Sequence, residues 1–174
     1  MNRQLPSREQ SLTLLIEHNC SNYVINHCIA VTNLALDIAE KLQFKGLKID
    51  LQLVEAGAML HDLGRSETHT VNHSLAGVQI AQKIGLPVSV INIIKRHVGA
   101  GITSEEAELL GWPKDNYIPQ TLEEKVVCYA DKLINHDRVE SVEVEIAKLQ
   151  KQGMFEAAKR VTKLHEEIIG LIGE

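Results

Sequence analysis

Helix starts and stops recur along the chain from one end to the other, and no alternation of strand and helix patterns interrupts them. Ser7 and Gln10 have capping-box spacing ahead of the apolar Leu12, Leu15 and Ile16, which predicts a first helix. Ser21 is placed to cap a second, where Val24, Cys28, Val31, Ala35, Ile38 and Leu42 recur at the steps of one buried face before Gly46 ends it. Asp50 is placed to cap a third, carrying Leu53, Ala56, Met59 and Leu60, with Gly64 as its stop. After a polar loop, Asn72 is expected to cap a helix running to Ile84 and ended by Gly85, and Pro87 to open another that reaches His97. Gly99 to Gly101 then break the chain. Thr103 with Glu106, and Thr121 with Glu124, repeat the capping-box pattern before two more helices, while Pro113 and Pro119 confine residues 111–120 to a loop. Val139, Val142, Val144 and Ile146 hint at a strand, but the Ile146 to Leu149 step and the Glu/Lys content favour two final helices within residues 139–172, meeting near Gly153. The expectation is an all-α, single-domain helical bundle over residues 1–174.

Composition narrows what such a bundle does. With 44% hydrophobic and 24% charged residues the chain supports a buried core, and its most apolar stretches, such as Val88 to Ile94, are too short to span a bilayer. The polar opening from Met1 to Gln10 does not read as a secretion signal, so a cytoplasmic location is expected. Cys20, Cys28 and Cys128 are odd in number and lack C-x-x-C spacing, which indicates neither a disulfide framework nor a thiolate zinc site. They read as small buried hydrophobes rather than nucleophiles. A net charge of −5, with no Lys/Arg cluster or aromatic platform, makes a long nucleic acid an unfavoured partner.

The eight histidines are the informative exception, because neutral imidazole suits borderline divalent cations. His61 and Asp62 emerge together where an apolar helix would otherwise continue. Burying such a pair without partners costs several kcal/mol, roughly, so it ligates a metal or joins a hydrogen-bond network. His27 lies among Val24, Cys28 and Val31 and looks inward, and Asp131 emerges from the apolar run Val126 to Ala130. Taken alone, His27 reads as a hydrogen-bonded core residue and Asp131 as a buried salt-bridge partner. Together, His27, His61, Asp62 and Asp131 are metal-competent groups on three separate apolar helices. His18, His136 and His165 lie in polar surroundings and are given no role.

This order resembles the HD superfamily of metal-dependent phosphohydrolases, whose signature is a helical His, a His-Asp doublet and a later Asp. The match is His27, then His61-Asp62-Leu63-Gly64, then Asp131 followed by Lys132, within Ser21 to Asn135. The resemblance implies an HD-type helical bundle. His73 and His97 resemble the further ligands of two-metal members, in which the doublet Asp bridges both ions. Alternatively, these two histidines hydrogen-bond substrate around one ion. The later position carries His97-Val98 where many two-metal relatives have a His-His pair. Arg65 and Lys132 stand beside the proposed ligands, where a metal-bound phosphate needs donors, and His69 is a candidate substrate contact.

The implied cofactor is a divalent transition metal (Mn, Fe, Co, Ni or Zn), as one or two ions held by nitrogen and oxygen donors. Metal-bound hydroxide would attack a small phosphate ester, a nucleotide or other phosphorylated metabolite, with Asp62, Arg65 and Lys132 as the catalytic groups. Two other readings stand beside this one. A few HD-fold relatives with two irons oxidise or cleave carbon substrates, and a helical module could instead sense a nucleotide or metal and signal through Val139 to Glu174.

Overall fold

The computed structural model describes residues 4–173, so the first three residues of the polar N-terminal stretch and Glu174 lie outside the described residues. The described residues form helices α1 (Arg8–Glu17), α2 (Asn22–Phe44), α3 (Leu51–Leu60), α4 (His73–Ile84), α5 (Val88–Arg96), α6 (Ser104–Leu109), α7 (Leu122–Leu133), α8 (Val142–Lys151) and α9 (Phe155–Ile172). Single 3-10 turns follow α3 at Leu63–Ser66 and α5 at Val98–Ala100. A two-residue hairpin, β1 (Ile134–Asn135) with β2 (Arg138–Val139), separates α7 from α8, with Ile134 opposite Val139. The expected all-α architecture holds, and the hairpin is the addition. Val142 to Ile146 lie in α8, as their helical spacing indicated.

Most starts follow from side chains that satisfy the helix's first N–H groups. Ser7 and Gln10 form a reciprocal capping box, as do Thr103 and Glu106. Ser21 accepts from the Val24 N–H, and Asp50 accepts from the N–H groups of Gln52 and Leu53. Two expected caps are corrected. Asn72 precedes α4 but makes no side-chain cap, because its Oδ1 accepts from Trp112 Nε1 at 2.7 Å. Thr121 accepts from the Glu124 N–H, yet the Glu124 carboxylate does not return to Thr121. It accepts instead from the Gln120 N–H at 2.6 Å and from Arg96 Nη1 at 2.8 and 2.9 Å.

The core is built around α3, which is buried at Val54 and from Ala56 to Leu60 and packs on α2, α5, α7 and α1. One buried cluster joins α2, α3 and α7 to α8 and α9 through Val31, Ala35, Val127, Val161 and Ile168. A second joins α1 and the start of α2 to α3 and α5 through Leu15, Val24, Met59, Leu60 and Ile94. Each such side chain, fully buried, contributes roughly 1.5–3 kcal/mol. His27 lies on α2 between Val24 of one cluster and Val31 of the other, so the polar site is walled by apolar packing on both sides.

Gly64 does not stop α3, which ends at Leu60, and it sits inside the 3-10 turn instead. A Cβ there would overlap the His73 carbonyl oxygen and the Gly77 nitrogen, while a Cβ on Gly77 would lie 3.1 Å from the Gly64 nitrogen. The two glycines therefore let the turn after His61-Asp62 lie directly on the backbone of α4. That contact brings His73 to the doublet.

Candidate metal centre

Three helix C-termini deliver polar groups to one place: His61 caps the end of α3 with Asp62 next to it, His97 caps the end of α5, and Asp131 lies in the last turn of α7. Helix C-termini carry partial negative charge, so their convergence favours a cation. α2 adds His27, and the first residue of α4 is His73. His61, Asp62, His73 and His97 are all buried, whereas the His27 and Asp131 side chains keep 14% and 12% exposure. One side of the cluster is thus open to an incoming molecule.

Each of the four imidazoles bonds a backbone carbonyl through Nδ1. His61 reaches Ala58 O at 2.7 Å, His73 reaches Thr70 O at 2.7 Å, His97 reaches Ile94 O at 2.8 Å, and His27 reaches His136 O at 3.0 Å. A carbonyl only accepts, so every Nδ1 carries the hydrogen and, in the neutral ring, every Nε2 presents a lone pair. Those lone pairs converge on other acceptors. His27 Nε2 lies 3.0 Å from Asp131 Oδ1 and 3.9 Å from Asp62 Oδ2, and His61 Nε2 lies 3.4 and 3.7 Å from the same two oxygens. On the other side, Asp62 Oδ1 lies 3.1 Å from His73 Nε2 and 3.4 Å from His97 Nε2, which are themselves 3.0 Å apart. His61 Nε2 and Asp62 Oδ1 are buried and make no hydrogen bond of acceptable geometry.

A cation among them would satisfy acceptors that face one another in a buried place. The donors that meet within 4.8 Å form two overlapping sets, His27 with His61 and Asp131, and His61 with Asp62 and His97. Asp62 turns one oxygen to each side. The donor set is nitrogen and oxygen only, which fits a divalent transition metal and not a thiolate site.

The electrostatics agree. Burial pushes the Asp62 carboxyl up, but His61, His73 and His97 around it leave it well below the carboxylate range. Asp131 is likewise held low against its burial, by Lys132 and then by His27 and His61. For His61, burial lowers the imidazole, yet the carboxylates of Asp62 and Asp131 draw it upward overall. Burial drives His97 down to about 4, and it stays a neutral ring.

The expected substrate cations prove to be tied to the cluster's carboxylates. Arg65 Nε donates to Asp62 Oδ2 at 2.6 Å, and Lys132 Nζ donates to Asp131 Oδ2 at 2.6 Å. Both still line a cavity of about 290 Å3 that opens over His27, Asp62 and Asp131, with His69 in its wall. Arg65 Nη1 reaches the His69 carbonyl at 3.4 Å.

His136, given no role from sequence, is part of the site. It occupies the hairpin turn with φ of 60°, its carbonyl orients His27, and its ring bonds the Tyr23 hydroxyl. The run Asn135-His136-Asp137 carried a signal, since these residue types tolerate left-handed backbone, but not its destination. His18 and His165 lie elsewhere, bonded to Leu14 O and the Tyr129 hydroxyl. The cysteines are buried free thiols, with Cys20 pushed up to about 11 and Cys128 to about 12 by burial, so none is a nucleophile.

An all-helical bundle with an ordered His, His-Asp and Asp cluster defines a class, and the chain belongs to it: residues 24–136 match the HD domain family. The chain is 37% identical over 171 residues to the tRNA (cytidine(56)-2'-O)-methyltransferase of Picrophilus torridus, covering 98% of this chain and 49% of that protein. It is 39% identical over 166 residues to an uncharacterized protein of Methanocaldococcus jannaschii, covering 94% of this chain and 98% of that one. The chain therefore spans about half the length of the methyltransferase-named relatives. In fold it is similar to the HD domain of the L. monocytogenes phosphodiesterase PgpH, solved in complex with cyclic-di-AMP, at a TM-score of 0.58 and 17% identity over 94% of this chain and 93% of that one. No helix among the described residues is long and apolar enough to cross a membrane.

Proposed function

We propose that this chain is a metal-dependent phosphohydrolase acting on a small phosphate ester, a nucleotide or related phosphomonoester or phosphodiester. One observation carries the reading: four imidazoles with their Nδ1 hydrogens already committed aim their Nε2 lone pairs at one another and at two carboxylates. His27, His61, Asp62 and Asp131 would hold one divalent transition-metal ion, and Asp62, His73 and His97 a second, with Asp62 shared. Such ions, when bound, lower the pKa of a coordinated water towards ~7 and polarise a phosphoryl oxygen.

The chain's own residues supply orientation and charge. The four carbonyl bonds keep the rings from turning, so the ligand set is ready before substrate arrives. Arg65 gives Nε–H to Asp62 and Nη1 to His69 O, leaving its other N–H groups for phosphoryl oxygens in the cavity. Lys132 gives one N–H to Asp131 and keeps the rest for the same purpose. Both act through charge rather than by forming a covalent intermediate. His69 stands in the cavity wall as a further contact.

Net charge of −5 supports a small ligand over a polymer. Three buried free thiols suit the reducing cytoplasm. The methyltransferase name belongs to relatives about twice as long, and this chain aligns with 49% of the Picrophilus torridus protein. A cluster of metal donors suits activation of water better than transfer of a methyl group.

The test is hydrolysis of mononucleotides, dinucleotides, an oligonucleotide and simple phosphate esters with each candidate metal, read as phosphate from the monoesters and as nucleoside monophosphate from the diesters, with oxygen uptake and methyl transfer to tRNA measured in parallel. Metal-dependent release of these products from small esters, abolished by chelator, is the expected result. Absence of release with every metal, or oxygen uptake or methyl transfer in its place, overturns the reading.

A further inference from the structure

Beside the metal centre the cavity has a second, chemically different wall. Tyr23 lies in the first turn of α2, four residues before His27, so the two side chains share a helix face about 6 Å apart along the axis. The Tyr23 side of the cavity continues to His136, whose ring meets Tyr23 edge to face with centroids 5.0 Å apart at 79°. The Tyr23 hydroxyl bonds His136 Nδ1, and His136 is held in a two-residue turn between paired strands. Both rings line the cavity, and Tyr23 remains 59% exposed.

An aromatic ring left this open needs a reason in a chain with only 3% aromatic residues. Phe44 and Phe155 are also exposed, but neither lines the cavity. Trp112 and the other tyrosines are buried. Tyr23 is thus the aromatic surface offered beside the cluster of cations and donors, and its hydrogen bond and turn partner hold it in place before a ligand binds. Preorganisation of this kind lowers the entropic cost of association.

We infer that the Tyr23–His136 pair is a stacking subsite for the heterocyclic base of a nucleotide whose phosphate lies between Arg65 and Lys132 at the metal cluster. The inference rests on the phosphohydrolase reading and specifies its substrate class. The helical turn between Tyr23 and His27 is the span that the sugar would cover. Base stacking on an aromatic side chain is tolerant of base identity, so the subsite selects for a base rather than for one base.

The test compares adenosine and cytidine monophosphates with ribose 5-phosphate, which has the phosphate and sugar but no base. In the metal-loaded wild-type protein, kcat/KM favours the nucleotides. Tyr23→Leu lowers the nucleotide to ribose 5-phosphate ratio about tenfold, while Tyr23→Phe, which keeps the ring but loses its bond to His136, retains most of it. Circular dichroism checks that helical content is retained. Calorimetric binding of the same ligands, to chelator-treated protein and, where no ester turns over, to the metal-loaded protein, gives a readout independent of turnover. If no ester is hydrolysed but nucleotide binding falls in Tyr23→Leu and survives in Tyr23→Phe, the subsite stands and the hydrolase reading fails for phosphomonoesters. If esters are hydrolysed with no nucleotide preference, or with a preference that Tyr23→Leu leaves unchanged, the subsite fails and the hydrolase reading stands. With no hydrolysis, undetectable nucleotide binding by the wild-type protein also overturns the subsite.

Discussion

His73 Nε2 and His97 Nε2 face each other at 3.0 Å, although each ring has already committed its Nδ1 hydrogen to a backbone carbonyl. Two lone pairs in that position, both beside Asp62 Oδ1, would suit ligands of a shared cation. Reconstituted protein is therefore expected to bind two metal ions per chain, roughly, and His73→Ala or His97→Ala to bind about one. Elemental analysis of wild type and both variants checks this, and a value near one in all three rejects the second ion.

Asp62 is the group common to both sides, with Oδ2 towards His27 and His61 and Oδ1 towards His73 and His97. Asp62→Ala should lose most metal at both positions and slow phosphate release by more than about a hundredfold, beyond the loss typical for partners that merely orient a ligand. Circular dichroism should show helical content largely kept. Wild-type turnover in this variant would make the doublet structural.

Removing metal should destabilise the protein, since it leaves buried acceptors facing one another. At a free metal concentration of 100 Kd the ion adds about 2.7 kcal/mol, and for a chain of this size each kcal/mol moves Tm by about 2–4 °C. Thermal melts with and without chelator, then after metal is restored, read this directly. Identical melting temperatures in protein shown to carry metal would contradict it.

Gly64→Ala tests the close approach that sets His73 beside the doublet. The added methyl would meet the backbone of His73 and Gly77, which is not a flexible neighbour, so a loss of about 2–3 kcal/mol is expected in urea denaturation. Metal stoichiometry should fall with it, because the turn and α4 are forced apart. Gly111→Ala, whose Cβ meets nothing within 4 Å but whose φ is 71°, serves as a control for backbone strain alone.

Arg96 and Glu124 form a buried ion pair with 13% and 4% side-chain exposure, and it ties α5, which ends at His97, to the start of α7. Glu124→Ala leaves the Arg96 guanidinium with the Asn116 carbonyl and frees the Gln120 N–H, so a loss of about 3–5 kcal/mol is expected. Chemical denaturation measures it. A change under about 1 kcal/mol would place the pair with ordinary surface bridges.

The elements legible in sequence were those fixed locally. Ser7, Ser21, Asp50 and Thr103 cap the helices they precede because a cap needs only its own next three residues. The donor cluster was legible because His61, Asp62 and Asp131 interrupt apolar helices, where an unpartnered polar group is costly. What escaped depends on distant partners. Asn72 had the residue type and position of a cap, and Trp112, 40 residues on, took its side chain. Gly64 had the look of a stop, and its real constraint is the backbone of α4. Glu124 was read as half of a capping box, while Arg96, 28 residues earlier, claims its carboxylate. His136 was set aside as polar surface because a carbonyl that orients another side chain leaves no trace in residue identity.

Three of the four imidazoles lean on carbonyls just three residues earlier in the chain, and the fourth leans on one 109 residues later. For His61 and His97 that carbonyl belongs to the final turn of the helix each residue terminates, so the ring is oriented by the same bond that finishes the helix. These rings are aimed as soon as their own segments form, with no long-range event required. His27 alone takes its orientation from a distant segment, the 134–139 hairpin, on the side of the cluster that a substrate would reach first.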